Sequence, residues 1–171
     1  MRFKVLTRFL ALIFISIFSF AQSQIKGNLS HKIFSAKVIG ISDGDTMEIL
    51  YKKNPIKIRL AHIDTPEKRG TQPFGNQAKT ALANLCFGRT VTVKAENYDR
   101  YKRLIAVVIN DNNQNVNQEM LKQGMAWHYK KYSKNSDYAK LEIEARKNRV
   151  GLWKDNTPIA PWLWRENKKK K

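Results

Sequence analysis

The spacing of apolar and polar residues changes period along this chain. Residues 33–41 are rich in apolar and β-branched side chains and predict a strand. SDGDT at 42–46 reads as a turn and MEILY at 47–51 as a second strand. KKNP at 52–55 is another turn, and IKIRL at 56–60 alternates as a half-buried third strand should. After the polar, breaker-rich loop at 68–75 the period lengthens. Ala78, Ala81, Leu82 and Leu85 fall at helical spacing within 77–87, and Gly88 is a stop signal. TVTVKA at 90–95 and RLIAVVI at 103–109 predict two further strands. A short helix over 116–123, ended by Gly124, follows the polar turn 110–115. A last helix runs from a Ser136 cap to about 149, with Tyr138, Leu141 and Ala145 as its inner stripe and Gly151 after its end. There is no internal repeat and no linker dividing the body. The order predicts an α+β domain that is mainly β, a five-stranded OB-type barrel with about three helices packed against it.

The first residues stand apart from this pattern. Residues 1–8 carry Arg2, Lys4 and Arg8 and no acid, residues 9–20 are an apolar run, and small residues follow at Ser19, Ala21 and Ser23. That order predicts a secretory signal peptide over 1–23, cleaved after Ala21 or Ser23. The apolar run is well short of the ~20 residues that span a bilayer. Residues 24–32 then read as a linker, 33–165 as the functional domain and 166–171 as a basic disordered tail. The single cysteine, Cys86, cannot pair within the chain, and its neighbours Leu82, Leu85 and Phe87 mark it as a small buried hydrophobe.

Charge narrows the class. Lys and Arg number 32 against 14 Asp and Glu, a formal +18 that becomes +15 without the three basic residues of the leader. A small exported domain this basic is expected to meet a polyanion, nucleic acid first.

Candidate chemistry gathers where the third strand ends. In RLAHIDTPE (59–67), Pro66 cannot donate to a sheet ladder and holds Thr65 extended, so a stiff corner carries Asp64 and Glu67 just past the strand. DGD at 43–45 places Asp43 and Asp45 on one side of an extended chain. If the two corners meet, Asp45, Asp64 and a backbone carbonyl form an oxygen-only cluster of the kind a hard cation such as Ca²⁺ takes. His31, His62 and His128 share no metal-ligand spacing. DNNQNVNQE lacks the sharp-turn glycine and the bidentate glutamate of a calcium-binding loop and reads as a turn. Arg59 lies within a core-facing alternation, and Arg103 at the mouth of the last strand; a guanidinium fork matches phosphate oxygens. Arg59 and Asp64 are an odd number of residues apart, so sharing a site requires a bulge or bend near 61–63.

These pieces together resemble the thermonuclease, or staphylococcal-nuclease-like, family. DGDT, RLAHIDTPE, DRYKR, GMAWHYKKY and GLW occur in that order, and the tail PIAPWLWRE resembles that of bacterial members. The resemblance covers roughly 33–165. It implies an OB-type barrel with three helices and calcium-dependent hydrolysis of DNA and RNA leaving 3′-phosphate ends. It implies Asp45, Asp64 and the Thr65 carbonyl as Ca²⁺ ligands, with Asp43 acting nearby through water. Arg59 and Arg103 become the arginine pair and Glu67 the base that activates water. Lys102 stands where family members often have glycine and is expected to add a phosphate contact, while Trp127 and Tyr129 are expected to stack a base. The expectation is thus a secreted or periplasmic monomeric nuclease without stable membrane association. The alternative is a noncatalytic OB-type module that binds single strands, against which the cluster of carboxylates argues.

Overall fold

The structure is a computed structural model that describes residues 27–68 and 71–170; the leader expected over 1–23 lies outside them. Seven strands occur among the described residues: β1 (Ile33–Asp43), β2 (Thr46–Tyr51), β3 (Asn54–Leu60), β4 (Ile63–Asp64), β5 (Thr90–Tyr98), β6 (Leu104–Ile109) and β7 (Trp127–His128). Four α-helices accompany them: α1 (Gly75–Cys86), α2 (Val116–Lys122), α3 (Ser136–Lys147) and α4 (Pro161–Lys169), with a 3₁₀ turn at Gly151–Lys154. Five strands close into a barrel in the order β1-β2-β3-β6-β5, in which β3 and β6 pair parallel and the rest antiparallel.

Period-two burial fills the barrel. Met47 and Ile49, Ile58 and Leu60, Val91 and Val93, and Leu104, Ala106 and Val108 are buried in one core with Val38. β1 bends at two register shifts, between Val38 and Gly40 and between Ile41 and Asp43, which supplies the curvature that closure needs. The turn expected at 52–55 contracts to Lys52 and Lys53, both at positive φ as a two-residue hairpin demands, and Pro55 joins β3 opposite Leu50.

The helices depart from expectation in two places. Asn135, rather than Ser136, caps α3, accepting from the Asp137 amide at 2.9 Å. A fourth helix, α4, occupies sequence read as the end of the domain and a disordered tail; 166–169 continue it. α4 begins with Pro161 at its first position, a favourable place for proline. A second apolar cluster of Trp127, Ala145, Leu152, Trp153 and Ala160 holds it, with Phe74 and Trp162 packed alongside. The residues read as a linker are tied down as well: Leu29 is buried, and the His31 amide donates to the Glu96 carbonyl at 2.9 Å. Cys86 is free and buried, as its neighbours imply, and burial pushes its thiol up to about 12.

Two buried polar groups brace the region around β4. Ser133 Oγ lies 3.0 Å from His62 Nδ1 and 2.9 Å from His128 Nε2, joining histidines that share no sequence spacing. Asn117, fully buried on α2, accepts from the Val108 amide at 3.0 Å and donates to the carbonyls of Ala61 at 3.0 Å and Ala106 at 3.1 Å. It staples the β3–β4 corner to the barrel. Asn117→Ala leaves these groups without a side-chain partner, and an unsatisfied buried group costs about 1–3 kcal/mol. We expect a loss of about 2–4 kcal/mol in chemical denaturation; a change below about 0.5 kcal/mol would show that the staple carries no stability.

Candidate active site

The corner between β3 and β4 is where the chain folds back. The Leu60 amide still donates to the Asp45 carbonyl at 2.9 Å and that of Ala61 to Ala106 at 2.8 Å, and then His62 turns with φ of +67. This is the bend that the odd spacing of Arg59 and Asp64 requires. Arg59 lies between the inward Ile58 and Leu60 and so faces the outside of the barrel, level with Thr46. From there its Nη1 donates to the carbonyls of Leu60 at 3.0 Å and Ile63 at 2.9 Å. Its Nη2 reaches Asp64 Oδ1 at 2.7 Å and Asp45 Oδ2 at 3.0 Å. One guanidinium thus joins the two acidic corners. β4 and β7 form a two-residue ribbon, pairing Asp64 with Trp127, which fixes the backbone under the carboxylate.

Asp45 is held from several sides. Its Oδ2 accepts from the Thr65 amide at 3.1 Å and the Thr65 hydroxyl at 3.0 Å, and its Oδ1 from the Thr46 hydroxyl at 2.9 Å. Gly44 makes this approach possible: a Cβ there would lie 2.7 Å from both the Ala78 Cβ and the Thr65 hydroxyl. Asp43 accepts from the Gly44 amide at 2.9 Å and from the Lys68 amide at 3.2 Å, tying the DGD turn to the loop that carries Glu67.

Glu67 is set by residues that sequence reasoning passed over. Its amide donates to Gln72 Oε1 at 2.9 Å, while Gln72, itself buried, donates through Nε2 to the Ile159 carbonyl at 2.8 Å. Gly75 at the start of α1 backs directly onto this loop: a Cβ there would lie 2.5 Å from the Glu67 carbonyl oxygen. Arg165, from α4, donates through Nη1 to Glu67 Oε1 at 2.5 Å and through Nη2 to Asp64 Oδ2 at 2.7 Å. The only sequence signal for these contacts was the likeness of the tail to bacterial relatives, which names no partner.

Arg103 arrives from the β5–β6 turn. Asp99 organises that turn, accepting from the amides of Tyr101 and Arg103 at 2.9 Å each and from Arg103 Nε at 2.7 Å. Burial raises the Asp99 carboxyl, but the hydrogen bonds from Arg103 outweigh it and hold the group below its ordinary range. Arg103 Nη1 lies 3.3 Å from the Thr46 hydroxyl, beside Asp45. Trp127 is placed differently from a stacking surface. It is buried, edge-on to Trp153 and Trp162, with the Arg146 guanidinium 4.5 Å from its ring. Tyr129 is half-buried and stacked on Trp162 at 5.4 Å; burial raises its phenol, Asp64 adds to this and Arg165 opposes it.

The charges do not balance. Asp43, Asp45, Asp64 and Glu67 face Arg59 and Arg165, while Arg103 is engaged by Asp99. Burial is the largest influence on Asp64; Arg59 opposes it and Asp45 adds to it, and the carboxyl is pushed up to about 6. A raised pKa means that stability from this group is present below about 4 and lost as pH rises through 6. Added positive charge would offset that loss. Burial, with Asp45 beside it, also raises Asp43. Among the described residues no three His, Cys, Asp or Glu side chains form a metal-holding group. Asp45 and Asp64, which Arg59 brings together, offer oxygen donors of the kind a hard cation takes, in a cluster where acids outnumber arginines.

Comparison with known proteins points to one family. The family model described as staphylococcal nuclease homologue matches residues 57–155. A Haemophilus influenzae protein named uncharacterized endonuclease is 46% identical over 136 residues, 79% of this chain and 75% of that protein. A Shigella flexneri micrococcal nuclease is 39% identical over 146 residues, 80% and 83% of the two chains. The Arabidopsis thaliana staphylococcal-like nuclease CAN1 is 39% identical over 139 residues, 81% of this chain and 42% of that one.

Lys102 occupies a left-handed position, φ +62, with its amide donating to the Asp99 carbonyl at 2.9 Å. That conformation costs a residue with a Cβ about 1–2 kcal/mol, part of which glycine's greater freedom when unfolded would cancel. Lys102→Gly is expected to gain about 0.5–1 kcal/mol. It should also flatten the salt dependence of oligonucleotide binding by about one phosphate contact. Denaturation and binding over a salt series check both; a lower midpoint, or an unchanged slope, would contradict the assignment.

Proposed function

The chain belongs to the staphylococcal nuclease family, whose named relatives are hydrolases of phosphodiester bonds, and we propose that it is an exported, calcium-dependent nuclease acting on DNA and RNA. The observation that carries the reading is the meeting of Asp45 and Asp64 on Arg59, of Asp64 and Glu67 on Arg165, and of Arg103 with Thr46 beside them. The basic surface of a chain with formal charge +18 draws a polyanion to that end. Export rests on the charged, apolar, small-residue order of 1–23. No helix among the described residues is long and apolar enough to cross a membrane.

Calcium, held by Asp45, Asp64 and the Thr65 carbonyl, would supply positive charge to the phosphoryl oxygens. Arg59 and Arg103 donate to those oxygens as charge builds on them. Glu67 takes the proton from the attacking water, the hydroxide bonds to phosphorus as the in-line bond to the 5′-oxygen breaks, and that oxygen takes a proton from solvent, leaving a 5′-hydroxyl and a 3′-phosphate end. Gln72, Gly75 and Asp43 hold the Glu67 loop against the DGD turn, so that base and metal ligands keep one geometry. The parallel stack of Tyr129 on Trp162 offers the edge of a surface for a base, whereas Trp127 supports it from beneath.

Glu67→Gln keeps the size and removes the base. General-base catalysis is worth about 10²–10⁴-fold, and single-turnover cleavage is expected to fall by that factor while nucleic-acid affinity holds or rises. Cleavage within about threefold of the parent would remove Glu67 from the mechanism. Calcium-independent binding without any cleavage by the parent would instead support the noncatalytic module.

A further inference from the structure

Arg165 occupies the carboxylates that the proposed reaction needs. Its Nη2 is 2.7 Å from Asp64 Oδ2 and its Nη1 is 2.5 Å from Glu67 Oε1, while Arg59 holds Asp64 Oδ1 at 2.7 Å. Both oxygens of Asp64 and one of Glu67 are therefore engaged by guanidinium groups. The two arginines are not equivalent. Arg59 lies within β3, its side chain is 12% exposed, and two backbone carbonyls of the corner fix it. The Arg165 side chain is 38% exposed against 2% for Asp64, so it covers the acid on the side open to solvent. A cation and a phosphate must both arrive from that side.

The helix that carries Arg165 is anchored independently of the acids. Trp162 stacks on Tyr129 and packs edge-on to Trp127, and Gln72 joins the Ile159 carbonyl just before α4 to the Glu67 amide. The family model ends at 155, so this helix lies beyond the segment that the model matches. Arg165 is thus delivered to the site by sequence outside that segment.

We propose that Arg165 is a built-in counter-cation, competing with the divalent cation for Asp64 and passing to the substrate phosphate when nucleic acid binds. The inference rests on the nuclease reading. A guanidinium fork accepts carboxylate and phosphate with the same two-point geometry, so the exchange conserves its hydrogen bonds. Transfer to the phosphate frees one oxygen of Asp64 for the cation and releases Glu67 to act on water. The cation alone then binds against a resident positive charge, and cation and phosphate raise each other's affinity reciprocally.

The test is calorimetric titration of Ca²⁺ into the parent, Arg165→Gln and Arg165→Lys, without and then with a short phosphorothioate oligonucleotide. Thermal melts of each variant confirm that α4 remains packed. Without oligonucleotide, Arg165→Gln is expected to bind Ca²⁺ about 10-fold more tightly than the parent, within the 5–150-fold span common for coupled sites. Its oligonucleotide affinity should fall, and the gain in Ca²⁺ affinity that oligonucleotide gives the parent should shrink toward none. Arg165→Lys, which keeps the charge without the fork, should fall between the two, and it carries the test if the glutamine variant unfolds. A folded Arg165→Gln with parental or weaker Ca²⁺ affinity, or with undiminished coupling, overturns the proposal. Parallel cleavage assays separate the two claims. A parent that cuts normally beside an unaltered Ca²⁺ affinity in Arg165→Gln removes Arg165 alone, whereas a parent that binds Ca²⁺ competitively but cuts nothing removes the nuclease reading.

Discussion

The guanidinium of Arg59 is the constraint around which this molecule is arranged. It joins Asp45 to Asp64 across two turns far apart in sequence, and it does so from a strand whose neighbours on either side face the core. The arrangement works only because His62 reverses the chain at positive φ and because Asn117 ties that corner to β6. Burying carboxylates here is unfavourable by itself, since desolvation is several kcal/mol per ion and two arginines, Arg59 and Arg165, face four acids. Asp64 bears the consequence in its raised pKa. The site is locally strained in charge, which is the condition expected of a place built to take up a cation and a phosphate.

Much of this was legible beforehand, and for identifiable reasons. The five barrel strands follow from two-residue periodicity, because each has one buried face. Asp45, Asp64, Glu67 and Arg59 stand out by turn chemistry and alternation, and the bend at His62 answers the odd spacing of Arg59 and Asp64, whereas the roles of Thr65 and Glu67 come only from the family resemblance. The ribbon of β4 and β7 was not legible, since two-residue strands have no period to detect. The capping role of Asn135 over Ser136 turns on one residue of register, which propensity does not resolve.

α4 and Arg165 were illegible for a different reason. The sequence reading ends the domain at 165 without a helix there and takes the lysine-rich 166–171 as solvated tail, whereas Trp162 fitting against Trp127 and Tyr129 holds 161–169 as helix. Tertiary packing here overrides composition. The same packing reassigns Trp127, whose indole supports β7 and α4 from within the second core. Gln72 shows how local and distant constraints meet: one buried amide connects the Glu67 loop to the approach of α4.

The central claim is that this corner hydrolyses phosphodiesters with the help of a hard cation. The most direct measurement is single-turnover cleavage of matched DNA and RNA strands by the purified protein, with Ca²⁺ and with a chelator in its place. Cutting of both strands in Ca²⁺, products ending in 3′-phosphate, and loss of cutting in chelator are expected. Full cleavage in chelator would contradict the assignment of Asp45 and Asp64 to a metal, and binding without cleavage in Ca²⁺ would contradict the enzyme itself.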